Sequence, residues 1–314
     1  MQVHTTIASV QGVRRPVLTT GTFDGVHRGH QVILRRLNEI ARREEGESML
    51  FTFHPHPRMV LFPTDTDLKL LNTPAEKEAL LRKAGIDHLL VVPFSRDFSR
   101  MKAFDYVRDL LVGRIGVHAV VIGYDHRFGR NREGDIHLLR QLGGTFGFRV
   151  EEIPAQEIDD VKVSSTKVRK ALVEGNVKLA AELLGYRYPL SGMVVKGDQL
   201  GRTIGFPTAN IGAVDPYKLV PGDGVYAVEV DLRDGTHHGM MNIGQRPTVR
   251  AASGQRTIEV NVFGLDRDLY GEPITVRCIQ RIRPEARFSD LEALKQQLED
   301  DRRKALELIA REDR

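Results

Sequence analysis

"GTFDGVHRGH", residues 21–30, sets His27 and His30 on either side of Gly29 at a point where the chain changes character. Just before it, "PVLTT" (16–20) has the composition of a β-strand. Just after it, "QVILRRLNEIARREEG" (31–46) carries Val32, Ile33, Leu37 and Ile40 on one helical face, with Gly46 placed to end the helix. A strand that runs into a helix through a glycine-rich turn is where α/β sheets bind ligands, beyond the carboxyl ends of their strands. The helix N-terminus offers free N–H groups and the positive end of its dipole to an anion. Glycine keeps side-chain bulk off the backbone there, and both histidines can donate charge-assisted bonds to phosphate oxygens. Asp24 either orients this motif or caps the turn. No G-x-x-x-x-G-K-[ST] sequence occurs, so an ordinary P-loop is excluded.

Outward from this junction the alternation continues. Strands are expected at "SMLFTF" (48–53), "HLLVVPF" (88–94), "HAVVIG" (118–123) and "FRVEEIP" (148–154). Helices are expected at "PAEKEALLRKAG" (74–85), "AFDYVRDLLVG" (103–113) and "DIHLLRQLGG" (135–144), and two short ones over 165–185 close the unit. Strands alternating with helices of this length imply a parallel, Rossmann-like sheet covered on both faces. From about residue 190 the pattern becomes "LSGMVVKG", "GVYAVEVDL", "HHGMMNIG", "RTIEVNVFG" and "ITVRCIQRIR", β-rich runs between glycine and proline turns. That spacing predicts an antiparallel barrel or sandwich. The end is helical, with Ser289 and Glu292 in capping-box spacing and Leu291, Leu294 and Leu298 as the apolar stripe. The boundary falls in "GYRYP" (185–189), giving domains 1–186 and 187–314.

The bulk numbers fit two soluble domains: 314 residues, 41% hydrophobic, 28% charged, formal net charge +4. That charge suits phosphate-bearing small molecules and falls short of a nucleic-acid-binding stripe. No run approaches the roughly 18–20 apolar residues of a membrane span. The start "MQVHTTIASVQGVRRP" lacks an apolar h-region, and Cys278 is the only cysteine, so a cytoplasmic location is expected. Cys278 sits in a strand and reads as a buried, inert thiol.

H-x-G-H at such a junction resembles the nucleotidyltransferase superfamily. "FTFHPHPRMVL" (51–61), "LNTPAEKEALLRKAGIDHLLVVPF" (71–94), "VIGYDHRFGRNREGD" (121–135) and "VSSTKVR" (163–169) narrow the resemblance to the adenylyltransferase half of the bacterial bifunctional riboflavin kinase/FAD synthetases. The resemblance covers essentially the whole chain. It implies transfer of AMP from ATP to the phosphate of FMN with release of pyrophosphate. It also implies an ATP site around Gly21, Phe23 and Gly29, with His27 and His30 catalytic. From the other side come Ser164, Ser165 and Thr166, again on ATP, with Arg169 catalytic; the serines would equally serve as helix caps. In the polar loop 123–135, Asp125 is the expected flavin-side contact, Arg127, Arg130 and Arg132 are either contacts or simply solvated, and His126 stands where the family usually has an aromatic residue. The histidines of "FHPHP" have metal-like spacing, yet the prolines and the lack of a carboxylate cluster argue against zinc.

The second half resembles the riboflavin kinase barrel through "GMVVKGDQLGRTIGFPTANI" (192–211), "GVYAV", "MNIGQRPTV" and "DRDLYG". The resemblance makes Gly197 and Gly205 part of a loop over ATP, Thr208 and Asn210 holders of Mg²⁺–ATP, and Glu259 the base for the ribityl hydroxyl. Asn242 and Arg277 are expected flavin contacts. Many relatives have histidine where Asn261 stands. Substrates are thus riboflavin, FMN and ATP, with Mg²⁺ arriving on ATP, self-association open, and neither nucleic acid nor membrane as partner. A pantetheine-phosphate or cytidylyl transferase would lack the PTAN barrel, and a class I tRNA synthetase would carry K-M-S-K-S where "SSTKVR" stands. A non-catalytic flavin- or RNA-binding module would bind its ligand but release neither ADP nor pyrophosphate.

Overall fold

Alternate residues of the early strands feed two different cores. Val17, Leu50, Ala119 and Val121 pack into one, while Leu18, Met49, Phe51, Val120 and Ile122 pack into the other. A strand whose two faces are both buried reads as a continuous apolar run, as these do. The protein, described here from a computed structural model, is defined over residues 1–64, 68–154, 163–197, 200–245 and 256–312, in two compact units, Met1–Ser165 and Thr166–Arg314.

The first unit holds a six-stranded parallel sheet in the order β1-β4-β3-β2-β5-β6. The strands are β1 (Gln2–His4), β2 (Val17–Thr20), β3 (Ser48–His54), β4 (His88–Pro93), β5 (Ala119–Gly123) and β6 (Arg149–Ile153). One face is covered by α1 (Arg28–Arg43) through Leu34, Leu37, Ile40 and Ala41, with Leu81 of α3 (Pro74–Lys83) beside them. The other is covered by α5 (Ala103–Asp105), which continues as a π-helical stretch Tyr106–Val112, and by α6 (Ile136–Phe146). Short helices α2 (Pro57–Leu61) and α4 (Arg96–Ser99) lie in the connections. Strand order runs β2, β3, β4 one way and β5, β6 the other, so the topological switch point lies between β2 and β5. The loops that follow those two strands are residues 21–27 and 124–135.

Local details depart from the sequence expectation. The three-residue edge strand β1 carries too little pattern to be read. Val32 and Ile33 are only partly buried, because the buried stripe of α1 runs through Leu34. Helix α1 ends with Glu45, not Gly46, in the left-handed region (φ 51°). Gly46 serves a different need, since a Cβ there would lie 2.3 Å from the Arg15 carbonyl oxygen.

In the second unit, α7 (Ser165–Val173) and α8 (Val177–Leu184) precede a closed antiparallel barrel, order β10-β11-β8-β7-β12-β9. Its strands are β7 (Pro189–Val195), β8 (Ala209–Gly212), β9 (Gly224–Leu232), β10 (Gly235–Gln245), β11 (Arg256–Val262) and β12 (Pro273–Arg283), with α9 (Leu200–Thr203) between β7 and β8. The two short helices expected to close the first unit pack with the barrel instead. The Gly222 amide donates to the Leu172 carbonyl at 2.8 Å, and α8 lies on β12 through its buried Val177, Ala180 and Leu184. The terminal helix α10 (Leu291–Glu312) starts from Asp290, which accepts the Ala293 amide at 2.8 Å, so the cap is not Ser289. Leu291 is 55% exposed, and the seam against the barrel runs through Leu298, Ala305 and Ile309. Cys278 is fully buried and burial raises its thiol pKa to about 12, the inert group expected.

Candidate active sites

The loop after β2 is wound tightly. Phe23 (φ 46°), Gly25 (φ 86°) and Val26 (φ 36°) all take left-handed backbone, which is costly for a β-branched residue unless neighbours hold it. Three sets of bonds do so. The buried Asp24 carboxylate accepts the Leu71 and Asn72 amides at 3.0 and 3.4 Å, the Thr22 carbonyl accepts Lys77 Nζ at 2.8 Å, and the Asp24 carbonyl accepts the Ser165 hydroxyl at 2.9 Å. Asp24 therefore ties its own loop to the segment at Leu71 and Asn72.

His27 is the N-cap of α1, and its Nδ1 accepts the His30 amide at 3.3 Å. In a neutral ring, accepting at Nδ1 puts the proton on Nε2. The two imidazoles stack at 3.6 Å between centroids and 13° between planes, and Phe23 packs on His30 at 4.7 Å. Burial, then His27, then Lys77 hold the His30 pKa well below 6.5. A neutral His30 ring would still make a charge-assisted bond to a phosphate oxygen, because the acceptor carries the charge. His30 Nδ1 has no hydrogen-bond partner among the described residues. Gly29 faces Val163 Cγ1 and the His27 ring, at 3.3 and 3.4 Å from where a Cβ would stand, and a Cβ on Gly21 would meet the Phe23 ring at 3.0 Å. Both glycines thus make room for side chains of the site itself.

Ser164 and Ser165 stand at the entry to α7, while Thr166 and Arg169 lie on its first two turns in the second unit. After β5, Asp125 is exposed at the tip of its loop. Arg127 and Arg130 pair with Asp135 and Glu133 at 3.2 and 3.8 Å, so they are engaged locally. His126 stacks on Phe128 at 6.2 Å, its Nε2 lacks a partner among the described residues, and burial lowers its pKa to about 4.

In the barrel, Glu259 projects from β11 directly between its register partners Asn242 of β10 and Asn210 of β8. Ile258 and Val260 on either side are buried, so Glu259 faces the other way. The Thr208 hydroxyl donates to its carboxylate at 3.3 Å. The glycine-rich segment closes on the same residues. A Cβ on Gly197 would lie 2.2 Å from Asn210 Nδ2, and one on Gly201 would lie 3.5 Å from Thr208 Oγ1. Gly205 supplies a left-handed turn (φ 85°) with open space around it. A cavity lined by Pro207, Thr208, Ala209, Val260, Leu269 and Tyr270 opens on one side of this stretch. A groove lined by Ile204, Phe206, Arg302 and Leu306 opens on the other. Residues 198–199 and 246–249 of the quoted motifs lie outside the described residues.

Arg277 is not brought to this cluster. β12 stands across the ring of strands from β11, and Arg277 is ion-paired there with Asp231 and, at 3.5 Å, Glu229. Two roles escaped the sequence reading. Asn261 donates from Nδ2 to the Pro207 carbonyl at 2.7 Å and so anchors the PTAN turn. Lys77 lay inside a quoted motif, and only its fold partner, Thr22, marks it out.

A parallel sheet with a histidine-capped helix at its switch point, followed by a closed barrel with a glutamate–threonine pair, defines a class: a nucleotidyltransferase-type unit joined to a kinase-type barrel. Comparison with known proteins is specific. The FAD synthetase family model matches residues 11–167 and the riboflavin kinase model residues 184–309. A bifunctional riboflavin kinase/FMN adenylyltransferase of Escherichia coli K12 is 43% identical over 299 residues, 94% of this chain and 92% of that protein. Its namesake in Bacillus subtilis is 36% identical over 295 residues, 93% of this chain and 92% of that one. A solved structure titled a macrolide-efflux protein of Streptococcus pneumoniae superposes with TM-score 0.87 at 32% identity, covering 96% of this chain and 97% of that one. Among the described residues no helix is long and apolar enough to cross a membrane. The chain belongs to the bifunctional riboflavin kinase/FMN adenylyltransferase family.

Proposed function

We propose that the chain uses ATP twice, to phosphorylate riboflavin in the barrel unit and to adenylylate FMN in the α/β unit. The observation that carries this reading is the presence of two separate polar clusters, the stacked His27–His30 pair and the Glu259–Thr208–Asn210 group, one in each matched region. In the barrel, Glu259 accepts the proton of the ribityl terminal hydroxyl as its oxygen attacks the γ-phosphorus of ATP and ADP leaves. The cavity beside Thr208 suits the base of ATP, and the groove with Phe206 and Arg302 suits a flat flavin ring. The Thr208 hydroxyl and Asn210 amide oxygen are hard donors that fit Mg²⁺, too few to hold it alone, so the ion would arrive with ATP and lend charge to the phosphates. Thr208 keeps its proton on Glu259 while offering its oxygen.

In the α/β unit an FMN phosphate oxygen attacks the α-phosphorus of ATP and pyrophosphate leaves, so no protein nucleophile is required. His27 and His30 steady the growing charge with ring N–H donors at the N-terminus of α1, and the left-handed loop fixes where they stand. Ser164 and Ser165 would complete the ATP side and Asp125 the flavin side. Arg277 is left out, because its partners are Asp231 and Glu229. With a single buried thiol, Cys278, the chain fits a reducing cytoplasm. Incubation with riboflavin, ATP and Mg²⁺ should yield FMN and then FAD by chromatography. Absence of both products would refute the proposal.

A further inference from the structure

We infer that Lys77 is a positioning residue of the adenylyl-transfer site, one that locks the Thr22 carbonyl and so sets the loop presenting His27 and His30. The inference rests on the reading of that histidine pair given above. Thr73 and Glu76 form a capping box at the start of α3, with Pro74 in its first turn. That start places Lys77 where its Nζ donates to the Thr22 carbonyl at 2.8 Å. The segment leading into α3 holds the next turn of the same loop, through the Leu71 and Asn72 amides on Asp24. One helix and its approach therefore grip the strained loop twice, at residues 22 and 24.

A neutral donor could bond a carbonyl equally well, so the charge calls for its own account. An ammonium placed in a buried setting is costly unless compensated, and burial does lower the Lys77 pKa while Asp24 opposes that shift. The titratable groups acting on His30 are His27 on its own helix and Lys77 from α3; Phe23 adds an apolar ring. Asp24 thus favours the Lys77 ammonium against its burial, and that ammonium disfavours a proton on the His30 imidazole. An anionic phosphate is drawn to the site by Lys77 and the helix N-terminus, and His30 donates without first taking up a proton.

The test uses the full chain and the variants K77M and K77R, with three measurements: FAD formation from FMN and ATP, FMN formation from riboflavin, and the NMR titration of the His30 ring. K77M should slow FAD formation about 10-fold or more, leave riboflavin phosphorylation within about twofold, and raise the His30 midpoint. K77R should keep the midpoint and restore most of the rate. If K77M loses the melting transition of the first unit, K77Q against K77R makes the same comparison. Wild-type FAD formation in K77M overturns the inference, as does slowed formation with an unmoved His30 midpoint, which marks a merely structural lysine. If instead H27A/H30A forms FAD normally, the site reading itself fails, and the His30 midpoint in K77M still tells that failure apart.

Discussion

At the scale of single residues, the two clusters should fail independently. The double variant H27A/H30A removes donors only from the α/β unit, so FAD formation should fall roughly 10- to 150-fold for each donor lost, while FMN formation persists. Glu259→Gln keeps shape and removes the basic carboxylate, so FMN formation should fall by about 10²- to 10⁴-fold with little change in riboflavin binding. Product chromatography separates the two; a shared loss of both activities in either variant would contradict two independent sites. His126 makes a different kind of prediction. Its folded pKa, near 4, lies below the ordinary 6.5, so the unfolded chain binds the proton first as pH falls. Stability is therefore full above about pH 6.5 and declines as pH drops toward 4. Between pH 7.5 and 5 this one ring should remove about 2 kcal/mol from the first unit. Urea melts should show H126F with a shallower acid decline than the parent; equal declines would rule the effect out.

At the scale of elements, ends and seams carry the information. Helix α1 ends on a left-handed Glu45 because Gly46 is needed beside the Arg15 carbonyl. Helix α10 is held to the barrel by more than its apolar seam. Asp301, 1% exposed, accepts Arg283 through both carboxylate oxygens at 2.8–3.0 Å and Gln297 at 3.0 Å. Removing one member of a buried pair strands the other charge. Asp301→Ala should therefore destabilise the barrel unit by about 3–5 kcal/mol, visible as an early calorimetric transition with the first unit unchanged. A parent-like melt would show the pair to be dispensable.

At the scale of the whole molecule, the question is where the kinase begins. The shift in periodicity at 185–189 suggests that 187–314 suffices. The contacts argue for more chain, since Gly222 and Arg281 bond the Leu172 and Glu174 carbonyls, and α8 covers β12. A fragment from 166 should be soluble and convert riboflavin to FMN but not to FAD. A fragment from 187 should melt at least about 5 °C lower, having lost that cover. Equal melting temperatures would place the boundary at 187 after all.

The sequence by itself determined the order of elements, the strand-to-helix junction with His27 and His30, the PTAN turn and the alternation that turns Glu259 away from Ile258 and Val260. Those features are local: periodicity, glycine placement and capping are decided by residues within a turn or two of one another. Only the tertiary structure decided that Lys77 meets Thr22, 55 positions away, that Asn261 meets Pro207, 54 away, and that Asp24 caps a second loop, 47 and 48 away. It likewise decided that α7 and α8 side with the barrel and that Arg277 stands opposite Glu259. Such pairs leave no periodic trace, because each arises when packed layers bring distant polar groups into a space with no water to satisfy them.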